Sequence, residues 1–358
     1  RPRAAVIDMP TAAVIGAGHN GLVAAFRLAR AGWKVVVLER RPQVGGAAVT
    51  EEIAPGFRVP ALAHALGPLR PRIAADMRLE ARGVRWIAPD PAVVLLHDGG
   101  AVAVPREPAR AASALARVAP ADAARYEAFA ATLARLGRAM QAALDAPAVD
   151  PARPGARDLA TLLRVVRRIR SLPRRDAYRL LRYLPMPAAD LVAEWFESDL
   201  LRAAVAARAV MGTMLGPRSP GGGAALLVAA ASDPLPVGAG VTVAGGPGAL
   251  AAAMASAASD AGAEIRTGAE VARILVDDAR AQGVQLASGE TIAADVVVSN
   301  ADPKRTLLDL VDPGDLEPAF RWKIRHYRTR GTTSKVNLAL SAPPAFDRSA
   351  FADAAAAS

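Results

Sequence analysis

The chain has 358 residues, 52% of them hydrophobic, and a formal charge of +10; it is long enough to bury one large core or two and too apolar to be disordered. It contains no cysteine, which excludes disulfide scaffolds, thiolate zinc sites and CxxC relays, so redox chemistry would have to reside on a bound cofactor. The basic residues are nearly all arginine, with lysine only at Lys34, Lys304, Lys323 and Lys335, and the pattern reads as a solvated surface and not as a nucleic-acid patch.

In chain order, Arg1 to Asp8 precede Met9 and read as an upstream extension. Ala12 to Ile15 form an apolar run that ends in Gly16-Ala17-Gly18-His19-Asn20-Gly21, after which Leu22, Phe26 and Ala29 recur at helical spacing until Gly32. Lys34 to Leu38 then predict a second buried strand, closed by Glu39. Strand, glycine turn, helix, strand and acid stand in the register of a dinucleotide-binding unit. In such a unit Gly16 makes the tight turn, Gly18 admits a pyrophosphate and Gly21 permits close helix packing. The helix N-terminus offers amide donors, and Glu39 accepts from a ribose diol.

The following Arg40-Arg41-Pro42-Gln43-Val44-Gly45-Gly46 carries a second glycine pair, where a nicotinamide-type unit would run on towards its next helix. Val93 to Val104 predict a hairpin turning at Asp98-Gly99-Gly100. Ala111 to Arg208 are helical in pattern almost throughout. Within them "TLLRVVRRIRSLPRRDAYRLLRYL", from Thr161 to Leu184, is a basic amphipathic run. It reads as an arginine-faced cover helix packed on the domain in preference to a membrane-surface contact. Gly248 to Ala261 predict another helix, and Glu264–Ile265, Val271–Val276, Gly283–Leu286, Val296–Ser299 and Ser334–Leu340 predict strands.

The stretch "ERRPQVGGAAVTEEIAPGFRVP" with "LRPRI", and later "SPGGGAALL", "VAGGPGALAAAM", "ADVVVSNADPKRTLLDLV" and "GTTSKVNLALS", resembles the FAD-dependent amine oxidases and phytoene desaturases. Within that superfamily it looks like a phytoene-dehydrogenase-like branch named after the pyridine nucleotide-disulphide oxidoreductases. Without cysteine the chain cannot run disulphide exchange, whatever that branch is called. The resemblance covers most of the chain and is weakest between about Ala111 and Arg218.

It implies an α/β architecture: a Rossmann-like FAD-binding domain of the glutathione-reductase and amine-oxidase type with an inserted, largely helical substrate domain. The expected division is 9–106 and 241–312 for FAD, 107–240 for the helical cover, and 313–358 for the start of a substrate-domain sheet. FAD is the implied cofactor. The first turn, with Gly16, Ala17, Gly18, Asn20 and Gly21, would hold it together with Glu39 and Arg40. Gly45, Gly46 and Ala47 would line the pyrophosphate and ribityl path. The backbone at Val271 would meet the adenine, and Asn300-Ala301 the ADP half; an ordinary strand and a helix cap account equally well for these last positions. His64 stands where relatives approach the flavin ring and also reads as a structural histidine.

The implied activity is hydride removal from an apolar organic substrate, with a carotenoid-type desaturase or isomerase as one alternative. A flavin-free binding protein of the type of the GDP-dissociation inhibitors, which share the architecture, is another. No carboxylate pair, HExxH, GxSxG or Walker lysine occurs, so no metal site and no catalytic residue is assigned. The longest apolar runs, such as Ala224 to Ala231, are short, and a cytoplasmic protein is expected. Beyond Leu340 nothing matches the glycine-rich segment that closes over the flavin in relatives, so a C-terminally truncated member with an unpaired final strand is expected.

Overall fold

The computed structural model describes residues 9–63, 69–97, 100–147, 149, 153, 155–238, 240–329 and 331–342. They form two compact units, one comprising the residues up to Ile87 and Thr242–Ala339, the other Ala88–Val241 with the residues from Leu340.

In the first unit β1 (Thr11–Ile15), α1 (His19–Arg30) and β2 (Lys34–Glu39) build the expected βαβ motif. β1 pairs in parallel with β2 on one side and with the strand Val296–Ser299 on the other, and β2 pairs in parallel with Glu264–Thr267. Alternation along β1 decides what each face meets. Ala12 and Val14 pack with Leu22, Ala25, Phe26 and Ala29 of α1 and with Met254 and Ala257 of the helix Pro247–Asp260. Ala13 and Ile15 pack on the opposite face with Val271, Ile274 and Val284. That second layer is an antiparallel sheet of Val271–Asp277, Arg280–Leu286 and Thr291–Ala293. Its first hairpin turns through Asp278 and Ala279, both at positive φ (45° and 57°), the geometry of a two-residue mirror-image turn made without glycine.

Two further strands, β3 (Thr50–Ala54) and β4 (Phe57–Pro60), make an antiparallel hairpin just after the second glycine pair. Residues 332–340 are not a strand, contrary to the expectation for Ser334–Leu340. Strand structure needs a neighbour's hydrogen-bond ladder; here side chains make the attachment instead. The Lys335 ammonium donates to the carbonyls of Pro60 and Ala63, and the Asn337 amide donates to Pro60. Val336 and Leu338 are exposed.

The second unit holds the hairpin Val93–His97 and Gly100–Val104, with its turn residues Asp98 and Gly99 outside the described set, and the helices Pro108–Leu115, Pro120–Leu144, Ala156–Arg170, Arg174–Tyr183, Ala188–Ala193, Asp199–Val210 and Gly222–Ser232. Val102 and Val104 are buried with Leu115 in the helical core. The hairpin therefore belongs to this unit, and the division falls at Ile87 instead of near Arg106.

Phe129 anchors that core, its ring 5.0 Å from Phe196 and 5.3 Å from Trp195 in edge-on contacts. Two buried carboxylates tie helices together. Asp122 accepts the amides of Glu197 (2.7 Å) and Ser198 (2.8 Å) at the start of Asp199–Val210. Asp176 accepts from Arg135 at 2.6 Å and pairs with Arg179 at 3.4 Å, and these guanidiniums, Arg135 foremost, hold its carboxyl below the ordinary carboxylate range. Among the described residues no helix is long and apolar enough to cross a membrane.

Candidate functional site

The glycine turn is held from three directions. Gly16, at φ +93°, donates its amide to Leu38 O at 2.8 Å, which fixes the turn to the end of β2. A Cβ on Gly21 would lie 2.1 Å from Gly16 O, so α1 can start this close to β1 only with glycine there. From the far side Asn300, whose amide donates to Ile15 O at 2.8 Å, lays its side chain beneath the turn. A Cβ on Gly18 would meet Asn300 Nδ2 at 2.6 Å, and one on Gly21 would meet Asn300 Cβ at 3.3 Å. Asn300 therefore belongs with the glycine turn, where the sequence reading could offer a helix cap equally well.

The N-terminus of α1 is open to an anion. Its N-cap residue is Gly18, no side chain caps the first-turn amides, and the first turn contains no acid. His19 and Asn20 are exposed there, while Ala17 and Gly18 are buried. Donor N–H groups and the positive end of the helix dipole are thus available together.

Glu39 is buried, and both of its oxygens accept backbone amides: Oε2 from Ala17 at 2.8 Å and Oε1 from Arg41 at 3.0 Å. Each carboxylate oxygen keeps a second acceptor site. The acid thus locks the glycine turn to the end of β2 and retains capacity for hydroxyl donors. Beside it, Ala269 N donates to Glu39 O at 2.9 Å and Gly268 N to Arg41 O at 3.0 Å. These bonds bring the start of Val271–Asp277 to the acid, with Val271 buried against the layer that contains Leu38.

The second glycine pair comes back to the first. Gly45 N donates to Ala17 O at 2.9 Å, and Gly18 and Gly45 form an isolated parallel bridge. Gly46 sits at φ +60°, and a Cβ there would lie 3.2 Å from Gly18 Cα. The left-handed φ and this tight backbone approach together already disfavour a side chain at this position, beside any clearance a cofactor needs. Arg40 and Ala47 are exposed next to these segments; Ala301 directly follows Asn300. His64 lies outside the described residues.

Thr50 escaped the sequence reading. Its hydroxyl accepts the Gly248 amide at 3.0 Å and lies 3.4 Å from Gly245 O, which joins β3 to the start of Pro247–Asp260, whose own N-cap residue, Gly246, has no side chain to cap it. A threonine that caps a helix nearly two hundred residues away leaves no local signal. Lys335 escaped for the same reason.

A family model described as flavin containing amine oxidoreductase matches residues 21–355. The chain belongs to that family. Among its relatives, pyridine nucleotide-disulfide oxidoreductase domain-containing protein 2 of Rattus norvegicus is 38% identical over 355 residues, which is 94% of this chain and 60% of the relative. Hydroxyneurosporene desaturase of Cereibacter sphaeroides is 33% identical over 323 residues, 86% of this chain and 59% of the desaturase. The crystal structure of an oxidoreductase from Methanosarcina mazei shares the fold, with a TM-score of 0.54 at 19% identity over 88% of this chain and 65% of its own. The chain spans about 60% of the length of the curated relatives it matches.

Membership places the chain in a family of flavin-containing proteins, and the cofactor that this implies is FAD. The site's chemistry fits FAD on its own terms: an uncapped helix N-terminus for the pyrophosphate, a buried acid with spare acceptor sites, and paired glycines packed backbone to backbone beside them.

Proposed function

We propose that this chain carries the FAD-binding part of an oxidoreductase that takes a hydride from a C–H or C–N bond of an apolar organic substrate. The observation that supports this most is the convergence of Gly18, Gly45 and Glu39 on the open N-terminus of α1. When bound, the flavin supplies the hydride acceptor. The chain supplies the hold. First-turn amides of α1, including Asn20 and Gly21, neutralise the pyrophosphate, and Glu39 accepts from the adenosine ribose and repels a 2′-phosphate. Gly45, Gly46 and Ala47 border the ribityl path, and Val271 with Asn300 and Ala301 flanks the ADP half.

A carotenoid-type desaturation or isomerisation is the second reading, favoured by the identity to hydroxyneurosporene desaturase. Purified protein should be yellow and retain FAD in the presence of excess NADP. Anaerobic bleaching of the flavin by apolar amines, alcohols or polyenes, tried singly, identifies the bond attacked. Colourless protein that refuses added FAD would overturn the proposal and favour a flavin-free binding role on the same fold.

A further inference from the structure

The helix Ala156–Arg170 divides its circumference into three sectors. One edge packs: Thr161 is buried, Val165 and Ile169 are half-buried, and the neighbours are the helices Pro120–Leu144 and Arg174–Tyr183. A second sector carries Arg157, Arg164 and Arg168. The third is apolar and faces solvent: Leu159, Leu162, Leu163 and Val166, at positions i, i+3, i+4 and i+7, are 54%, 45%, 59% and 45% exposed. The cover-helix expectation holds for one edge only, because the apolar stripe points away from the domain it was expected to pack against. On the next helix Tyr178 and Leu181 are exposed as well, at 67% and 65%.

We infer that this helix docks on an anionic lipid bilayer, lying in the interface with its leucine stripe in the acyl boundary. Charge complementarity selects the occupant. Arg164, Arg167, Arg168 and Arg170, with Arg174 and Arg175 on the following helix, are all exposed, and none has a carboxylate partner among the described residues. The helix holds one acid, Asp158, at its N-terminal end, where it accepts the Gly155 amide at 2.9 Å. A second copy seated on the stripe would bring Arg167 and Arg170, which border it, against their own counterparts, whereas anionic headgroups neutralise them and the arginines of the polar face. Fifteen residues give a helix of about 22 Å, too short to cross a hydrocarbon core of roughly 30 Å and suited to lying along its surface. The inference is independent of the flavin reading, and its failure leaves that reading untouched.

The absence of cysteine makes the test site-specific. Leu163→Cys and Arg164→Cys, each labelled with an environment-sensitive NBD probe, are mixed with vesicles of 70 mol% phosphatidylcholine and 30 mol% phosphatidylserine. A blue shift at position 163 and none at 164 is expected. In co-sedimentation with the same vesicles, Leu162→Glu/Val166→Glu should weaken binding by about tenfold or more. Arg218→Glu, which changes the net charge equally at an exposed site elsewhere, should weaken it by less than about fivefold, roughly what one arginine contributes near a charged surface.

The proposal is overturned by any of four results: no sedimentation of the unmodified chain with these vesicles, equal binding of the Leu162→Glu/Val166→Glu variant, the same probe shift at 163 and 164, or light scattering that shows a dimer which this variant converts to monomer.

Discussion

Both units use glycine where backbone presses on backbone, but over very different spans of sequence. In the nucleotide unit Gly21 is forced by Gly16 O, five residues earlier in the same turn. In the helical unit a Cβ on Gly223 would lie 2.0 Å from Tyr183 O, and one on Gly137 would lie 2.5 Å from Ala230 O, where Pro120–Leu144 crosses Gly222–Ser232. The first constraint is a local motif and announces a ligand. The second is a helix-packing constraint, whose partner is set only by the finished fold.

The sharpest way to break this comparison is to place the same methyl in both units. Gly21→Ala and Gly223→Ala should each cost about 3 kcal/mol or more, because rigid backbone cannot yield. Thermal midpoints should fall by roughly 6–12 °C in each. Only Gly21→Ala should lose FAD from the protein that remains folded, as read by flavin absorbance after gel filtration. Loss of FAD in both would erase the distinction between cradle and packing glycine.

A buried charge in the helical unit comes next. Asp176→Asn should cost about 2–3 kcal/mol at pH 7, since two guanidiniums lose their anion. The folded-state pKa of Asp176 is lowered, first by the Arg135 hydrogen bond. The stabilisation is therefore complete above the ordinary carboxylate range and is lost as pH falls through the folded value. Urea denaturation at pH 7 and pH 3 should show the gap between wild type and variant shrinking in acid. A constant gap would assign the loss to shape and not to charge.

Glu39→Gln sharpens the nucleotide side. The carboxamide places an NH2 opposite one of the amide donors, Ala17 N or Arg41 N, and removes a charge-assisted acceptor for the ribose. FAD affinity should fall by about tenfold, or ~1.4 kcal/mol, in an equilibrium titration. The smallest effect expected is from Thr50→Val, which deprives Gly248 N of its acceptor and should cost about 1 kcal/mol in the denaturation midpoint, with FAD affinity within a factor of about three.

The βαβ unit was readable in the sequence because its rules are short-range: apolar run, glycine turn, helical period, acid. The helices and most later strands followed from periodicity for the same reason. Three things were not readable. Ser334–Leu340 has the alternation of a strand, but alternation cannot supply a partner. The leucines from Leu159 to Val166 mark an amphipathic helix, but periodicity does not tell which sector the fold covers. Gly46 was expected to make room for a cofactor, and its φ of +60° and the nearby Gly18 Cα are a second reason for glycine that the sequence did not reveal. A valine at Gly46 therefore disturbs any protein with this turn and cannot by itself distinguish a flavin site from a nicotinamide site.

The pairing of β1 bears on how the cradle comes into being. β1 is a central strand, yet one of its two neighbours is Val296–Ser299, and the side chain beneath its glycine turn comes from Asn300. During synthesis the nucleotide loop is made before its partner strand and has to wait for nearly three hundred residues, including the whole helical unit, before that edge is closed. Until then an apolar strand edge is open to other chains, so the segment that carries the glycine turn is also one exposed to mispairing while the chain grows.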